Sequence, residues 1–180
     1  VVPEGWVIPL GATLTLPPKE LSGVEWAPPV SPGDCVFVTE NPSVLAAAVQ
    51  TFREQQSDSL RTPRVVCTAG TPSQVECAAV AALVAAGWQV AVRADFDVAG
   101  LAHVRALLAA APSARPWRML AADYVAAVGD GAPQLAVPED AAPWAPGLAS
   151  AMNRSGVPVF EESLLTQLLD DIGHGLPGDS

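Results

Sequence analysis

Positive charge is scarce in this chain. Its 180 residues hold eight arginines and one lysine, Lys19, against nineteen Asp and Glu, for a formal net charge of −10. A protein that clamps nucleic acid regardless of sequence does so by neutralising phosphates, so the chain's own surface argues against broad clamping. A nucleic-acid enzyme whose grip on DNA lies on another segment or partner stays open. Cysteine is scarce too: Cys35, Cys67 and Cys77 form no CxxC pair, which excludes the usual zinc ribbon and a disulfide framework. Cys35 and Cys67 fall in apolar, strand-like runs and read as small buried hydrophobes of a reducing cytoplasm. No apolar run approaches the roughly 20 uncharged residues of a membrane helix, and the N-terminus has no signal-peptide pattern. Tyr124 is the single tyrosine and reads as packing.

What the chain does have is apolar content. Half of its residues are hydrophobic, which excludes disorder for the whole and suits one domain with a real core. It opens on Val1 rather than Met, which reads as a module of something longer. Seven prolines in residues 1–33 mark an irregular or edge-strand lead-in rather than a helix, with GATLTL as a possible short strand. Residues 34–173 read as the folded domain and 174–180 as a flexible tail.

Within that domain a rhythm repeats. DCVFVT (34–39) is an apolar β-forming run, and NPSVLAAAVQTFREQQ is a helix with Asn41 as N-cap and Pro42 at its first position. RVVCT (64–68) is a second strand; PSQVECAAVAALVAAG is a second helix, capped by Thr71 and stopped at Gly87. WQVAVRAD is a third strand, followed by a helix over 98–111. Strands alternating with helices of this length predict an α/β fold, a parallel sheet flanked by helices. Six prolines from Pro112 to Pro146 then break the rhythm. WRML reads as a short fourth strand, AADYVAAV as a short helix, 144–154 as another helix, and EESLLTQLLDDIG as an amphipathic helix ending at Gly173.

In parallel α/β sheets functional groups collect beyond the carboxyl ends of the strands. Glu40 follows the first strand, and Asp95 and Asp97 close the third. Residues i and i+2 of an extended segment point to one side, so both aspartates face one place. Three acids there repel each other unless a cation sits among them, and an all-oxygen cluster suits Mg²⁺ or Mn²⁺. Bland readings stand beside this one: Asp97 as the cap of the next helix, His103 as a surface or partly buried histidine, His174 as inert. Arg93 and Arg118 are weak candidates for a DNA phosphate, with ion pairs as their competing roles. Asp123, Glu161 and Glu162 are weak candidates for a second cation, although the two glutamates also suit a helix N-terminus.

TENPSVL, VVCTAGTPS, ADFDVAGL and PWRMLAADY, in this order, resemble the toprim family, and within it the C-terminal toprim-like domain of the JetD-type nuclease subunit of Wadjet anti-plasmid systems. The related toprim domains include that of the type VI topoisomerase A subunit. The likeness covers residues 34–172. It implies a toprim, Rossmann-like fold, Mg²⁺ or Mn²⁺ dependence, DNA cleavage, a cytoplasmic setting, an SMC-type ATPase partner and a possible homodimer. It implies Glu40, Asp95 and Asp97 as the catalytic, metal-holding acids, the aspartates holding the metal and Glu40 completing its shell or acting as general acid/base. The chain departs from the family pattern beside the DxD: Arg93–Ala94 stand where the family has His-Gly, and Val98–Ala99 where it has Trp-Pro. A non-catalytic scaffold is therefore the alternative. A haloacid-dehalogenase-type phosphatase, which also uses DxD, is disfavoured: Ala99 stands where that motif wants Thr or Val, and the one lysine lies upstream.

Overall fold

The computed structural model describes Gly5, Val7, residues 12–54, residues 64–175 and Pro177. The elements in chain order are α1 (Pro18–Leu21), β1 (Cys35–Thr39), α2 (Pro42–Glu54), β2 (Val65–Cys67), α3 (Gln74–Ala85), β3 (Gln89–Val92), α4 (Val98–Ala110) and β4 (Arg115–Pro116). After them come α5 (Ala121–Ala127), α6 (Leu148–Ser155), a 3-10 turn (Glu161–Leu164) and α7 (Leu165–His174). The four strands form one parallel sheet in the order β2-β1-β3-β4, flanked by helices. This is the α/β architecture that the alternating pattern predicts.

The sheet order follows from apolarity. A parallel strand covered on both faces reads as an unbroken hydrophobic run, and β1, with all five residues buried, takes a central place. Phe37 of β1 meets Trp117 edge-on at 4.7 Å, joining the sheet core to the chain beyond β4. α2 packs on α7, α3 on α4, and α5 on α6. Among the described residues no helix is long and apolar enough to cross a membrane.

Several local readings are corrected. α3 is capped by Ser73, not Thr71: Ser73 Oγ accepts from the Glu76 N–H at 3.3 Å, and the Glu76 carboxylate accepts from the Ser73 N–H at 2.6 Å. The S-x-x-E capping box outweighs a cap placed before Pro72. β4 is Arg115–Pro116 rather than WRML, because an edge strand tolerates proline and Arg118 (φ 49°) turns the chain away. The lead-in does contain a helix, α1, started by Pro18. Of GATLTL, Gly11 lies outside the described residues and 12–16 form no strand. The lead-in is strapped to the domain: the indole N–H of Trp26 donates to the Ala79 carbonyl (3.0 Å) and that of Trp88 to the Ala27 carbonyl (2.8 Å). Gln55 and Gln56, read as the end of α2, lie outside the described residues, as do Leu176 and 178–180 of the tail. At the C-terminus the single helix of the sequence reading is a 3-10 turn followed by α7, which ends at His174 and is capped by Gly175 (φ 67°).

One connection matters most for function. β3 ends at Val92, short of the acids, and 93–95 continue toward Phe96, which forms an antiparallel bridge with Val159 (Phe96 N–H to Val159 carbonyl, 2.8 Å). That bridge brings the start of the C-terminal 3-10 turn to the end of β3.

Candidate functional site at the ends of β1 and β3

β1 and β3 are neighbours, so the residues leaving their carboxyl ends meet. After β3 burial alternates: Ala94 and Phe96 are fully buried, while Asp95 and Asp97 are half-buried and turn the other way. The period of two therefore delivers both aspartates to one side. Asp97 also caps α4, its Oδ1 accepting from the Gly100 N–H at 2.7 Å. The helix cap is thus one of the two readings of Asp97, and it is realised. Asp95 Oδ1 accepts from the Glu161 N–H at 2.7 Å.

Glu40 follows β1 on the facing side. Its backbone carbonyl accepts from the Gly70 N–H at 3.3 Å, next to Ala69, which is held in the left-handed region at φ 54°. A non-glycine residue there stores about 1–3 kcal/mol of strain, and such strain concentrates at functional sites. The Glu40 side chain is 17 % exposed, and its Oε2 is buried without a hydrogen-bond partner. Burial first, then the charges of Asp95 and Asp97, push this carboxyl above the usual carboxylate range, against a pull from the Asp95 backbone amide. Burial likewise raises Asp95, opposed by the Glu161 amide, with Asp97 and Glu162 adding to the rise and Arg93 opposing it.

Glu161 is the residue that sequence reasoning undervalued. It is fully buried and sits between the two strand ends. Its carboxylate accepts from Thr39 Oγ1 (2.7 Å) and from the Asn41 N–H (2.8 Å), lies 3.6 Å from Arg93 Nε, and its own N–H holds Asp95. Burial pushes its carboxyl up to about 7, with Arg93 and the Thr39 and Asn41 hydrogen bonds pulling down. The exposed Glu162 accepts from Asn41 Nδ2 (2.6 Å) and Ser43 Oγ (2.7 Å), tying the 3-10 turn to the start of α2. No local pattern signals this, because the partners lie about 120 residues apart and meet only in the tertiary structure, where α7 packs on α2 and Val159 bridges Phe96.

The other singled-out residues settle differently. Arg93 offers no phosphate contact: it is fully buried, donates from Nη1 to the Arg118 carbonyl (2.8 Å) and lies over the Phe96 ring at 5.3 Å. Of its two readings, pairing with an acid is the one realised, and the partner is Glu161. Arg118 is engaged by Asp171 through Nε (2.6 Å) and Nη2 (2.8 Å). Asp123 accepts from the Leu120 N–H (2.9 Å) at the start of α5. Tyr124 is buried, and its hydroxyl donates to the Val157 carbonyl (2.7 Å). His103 is not on the surface: it is fully buried, 3.9 Å from Glu40 Oε1, and burial lowers its pKa to about 4.

Among the described residues no three His, Cys, Asp or Glu side chains are arranged as a metal cage. The donors suit a hard cation of the Mg²⁺ type, which keeps waters and is held by one or two carboxylates plus substrate phosphate oxygens rather than by a closed protein shell. Glu40 Oε2, buried with no partner, is the atom such a cation would satisfy. Asp95 and Asp97 would supply the remaining carboxylates.

A family model described as "Protein of unknown function C-terminus (DUF2399)" matches residues 14–172. No curated protein matches the chain. The matched span covers most of the chain, and the chain belongs to the DUF2399 family.

Proposed function

We propose that this DUF2399 domain is a toprim-like, Mg²⁺- or Mn²⁺-dependent DNA endonuclease module that works in the cytoplasm, in an anti-plasmid complex with an SMC-type ATPase. One observation carries the reading. Glu40 leaves the end of β1, Asp95 and Asp97 leave the end of the adjacent β3, and Glu40 feels the charge of both. The sequence likeness of the four motifs supplies the reaction class, and the net charge of −10 agrees with a DNA grip provided by a partner.

The reaction is hydrolysis: water attacks phosphorus and the bond to the leaving oxygen breaks. A bound divalent cation would polarise the phosphodiester and offset the charge that builds on its oxygens. Asp95 and Asp97 would hold it, each oriented by one backbone amide, from Glu161 and Gly100 respectively. Glu40, whose carboxyl burial raises above the usual carboxylate range, takes a proton from the attacking water or gives one to the leaving oxygen. Glu161 positions both sides at once, through its amide on Asp95 and its carboxylate on the amide beside Glu40. The engagement of the Tyr124 hydroxyl by Val157 supports hydrolysis over transfer to a tyrosine.

The test is plasmid cleavage. Supercoiled plasmid is incubated with the full-length protein, its SMC-type partner and Mg²⁺ or Mn²⁺, and again with Asp95→Ala and Glu40→Ala. Removing either group forfeits several kcal/mol of transition-state stabilisation, a loss of about 10²-fold or more. Cleavage unchanged by both substitutions would leave the domain as a non-catalytic scaffold.

A further inference from the structure

Phe160 is the one exposed aromatic side chain among the described residues, at 50 % exposure. A single apolar side chain in water is ordinary; this one is set apart by its position. Phe96 and Val159 exchange both backbone hydrogen bonds, at 2.8 and 3.3 Å, as a hydrogen-bonded antiparallel pair does. One residue further along each chain, Asp95 and Phe160 stand opposite each other. Residues opposite in an antiparallel pair emerge on the same side, and neighbours along a strand alternate. Burial follows that rule: Phe96 and Val159 are buried, whereas Asp95 is half-buried and Phe160 exposed. The bond from the Glu161 N–H to Asp95 Oδ1, 2.7 Å long, holds the residue after Phe160 against the aspartate. On the other flank Val98, directly after Asp97, is 48 % exposed. In the chain, each aspartate thus has an exposed apolar side chain beside it.

A phenyl ring offers nothing to a phosphate. Arg93 and Arg118, the arginines suggested for that contact, are engaged inside the protein by Glu161 and Asp171. What a ring does offer is a flat apolar face on which a nucleobase stacks, a contact that tolerates any sequence because every base has such a face. A phosphodiester at the acids brings its sugar and base with it, and the ring opposite Asp95 is placed to meet that base. In a paired duplex both faces of a base are covered by its neighbours; only a base drawn out of the stack presents one.

We propose that Phe160 is a substrate-binding residue whose ring stacks on a nucleobase next to the scissile phosphate, so that the strand cut at this site is unpaired at that base. The inference rests on the DNA-cleavage reading above and deepens it by naming the state of the substrate.

The test compares a fully paired closed plasmid with the same plasmid carrying one short unpaired bubble. Each is incubated with the full-length protein, its SMC-type partner and Mg²⁺ or Mn²⁺, and cut sites are mapped. The expected result is cutting at the bubble, with kcat/KM about tenfold or more above that of the paired plasmid, since the cost of unstacking is removed. Phe160→Ala should raise KM for the bubble plasmid about tenfold with kcat kept, and Phe160→Trp, which keeps a stacking face, should restore it. Wild-type KM in Phe160→Ala, or no rescue by Phe160→Trp, overturns the inference and leaves the nuclease reading intact. Failure of the wild type to cut either plasmid overturns both. Equal cutting of the two plasmids by the wild type overturns the inference even if Phe160→Ala does not fold.

Discussion

Two buried carboxylates in this molecule accept backbone or side-chain hydrogen bonds across more than 50 residues of sequence, yet they do opposite things. Asp171 on α7 receives the Trp117 indole N–H (2.7 Å) and both Arg118 bonds, which pin α7 against the chain after β4. At the ends of β1 and β3, Glu161 ties two strands together just as firmly, but its surroundings are incomplete. The buried side-chain nitrogens and oxygens without a hydrogen-bond partner, among the described residues, belong to Glu40, Arg93 and His103, all at this corner. Native interiors satisfy nearly all their polar groups, and exceptions call for a reason. The Asp171 cluster is a staple; the other corner keeps buried polar atoms without hydrogen-bond partners.

That contrast can be broken at several points. The largest effect is expected at Gly100, where a Cβ would overlap the Asp95 carbonyl oxygen and lie 2.9 Å from the Asp95 nitrogen. Backbone cannot give way as a side chain can, so Gly100→Ala should cost about 3 kcal/mol and abolish cleavage; urea unfolding and plasmid nicking read the two losses. Asp171→Ala should cost about 3 kcal/mol, the low end for a broken buried pair because Arg118 is partly exposed, yet leave cleavage per folded molecule unchanged. If it abolishes cleavage at full folding, the staple is not merely a staple.

Asp97 separates the two functions within one residue. Asn caps helices as well as Asp, so Asp97→Asn should hold stability within about 0.5 kcal/mol while cleavage falls sharply; Asp97→Ala should lose about 1 kcal/mol as well. Equal unfolding midpoints for Asn and Ala would remove the capping role.

A pH dependence tests the same corner. The carboxyl of Glu161 titrates near 7 when folded and near 4.3 when unfolded. The folded state therefore holds the proton more tightly. The stability this group contributes is present below the unfolded value and is lost as pH rises through the folded one. Relative to Glu161→Gln, the wild-type midpoint should fall between about pH 4.5 and 7 and level off above. A difference between the two chains that stays flat across that window would show that Glu161 is ionised throughout.

Much of the frame was legible in the residues. Asn41 and Pro42 open α2, with Asn41 Oδ1 accepting from the Ser43 N–H at 3.0 Å, and Gly87 stops α3 at φ 98°, because caps and left-handed stops are short-range physics. The DxD alternation was equally local. Glu161, His103 and the burial of Arg93 were not legible. Each depends on which strands are neighbours and on a bridge between Phe96 and Val159, and a charged residue at a helix start looks the same in sequence whether it meets water or another strand.

By itself, then, the sequence determined the βαβ alternation, the acid at the end of each central strand and the side on which Asp95 and Asp97 emerge, since all of these follow from periods of 2 and 3.6 and from turn chemistry within a few residues. The tertiary structure alone decided that β1 and β3 lie side by side, that Glu161 returns from the far end of the chain to lock them, and that Glu40 and His103 share a buried corner. Those are long-range placements, fixed by which apolar surfaces the whole chain buries together.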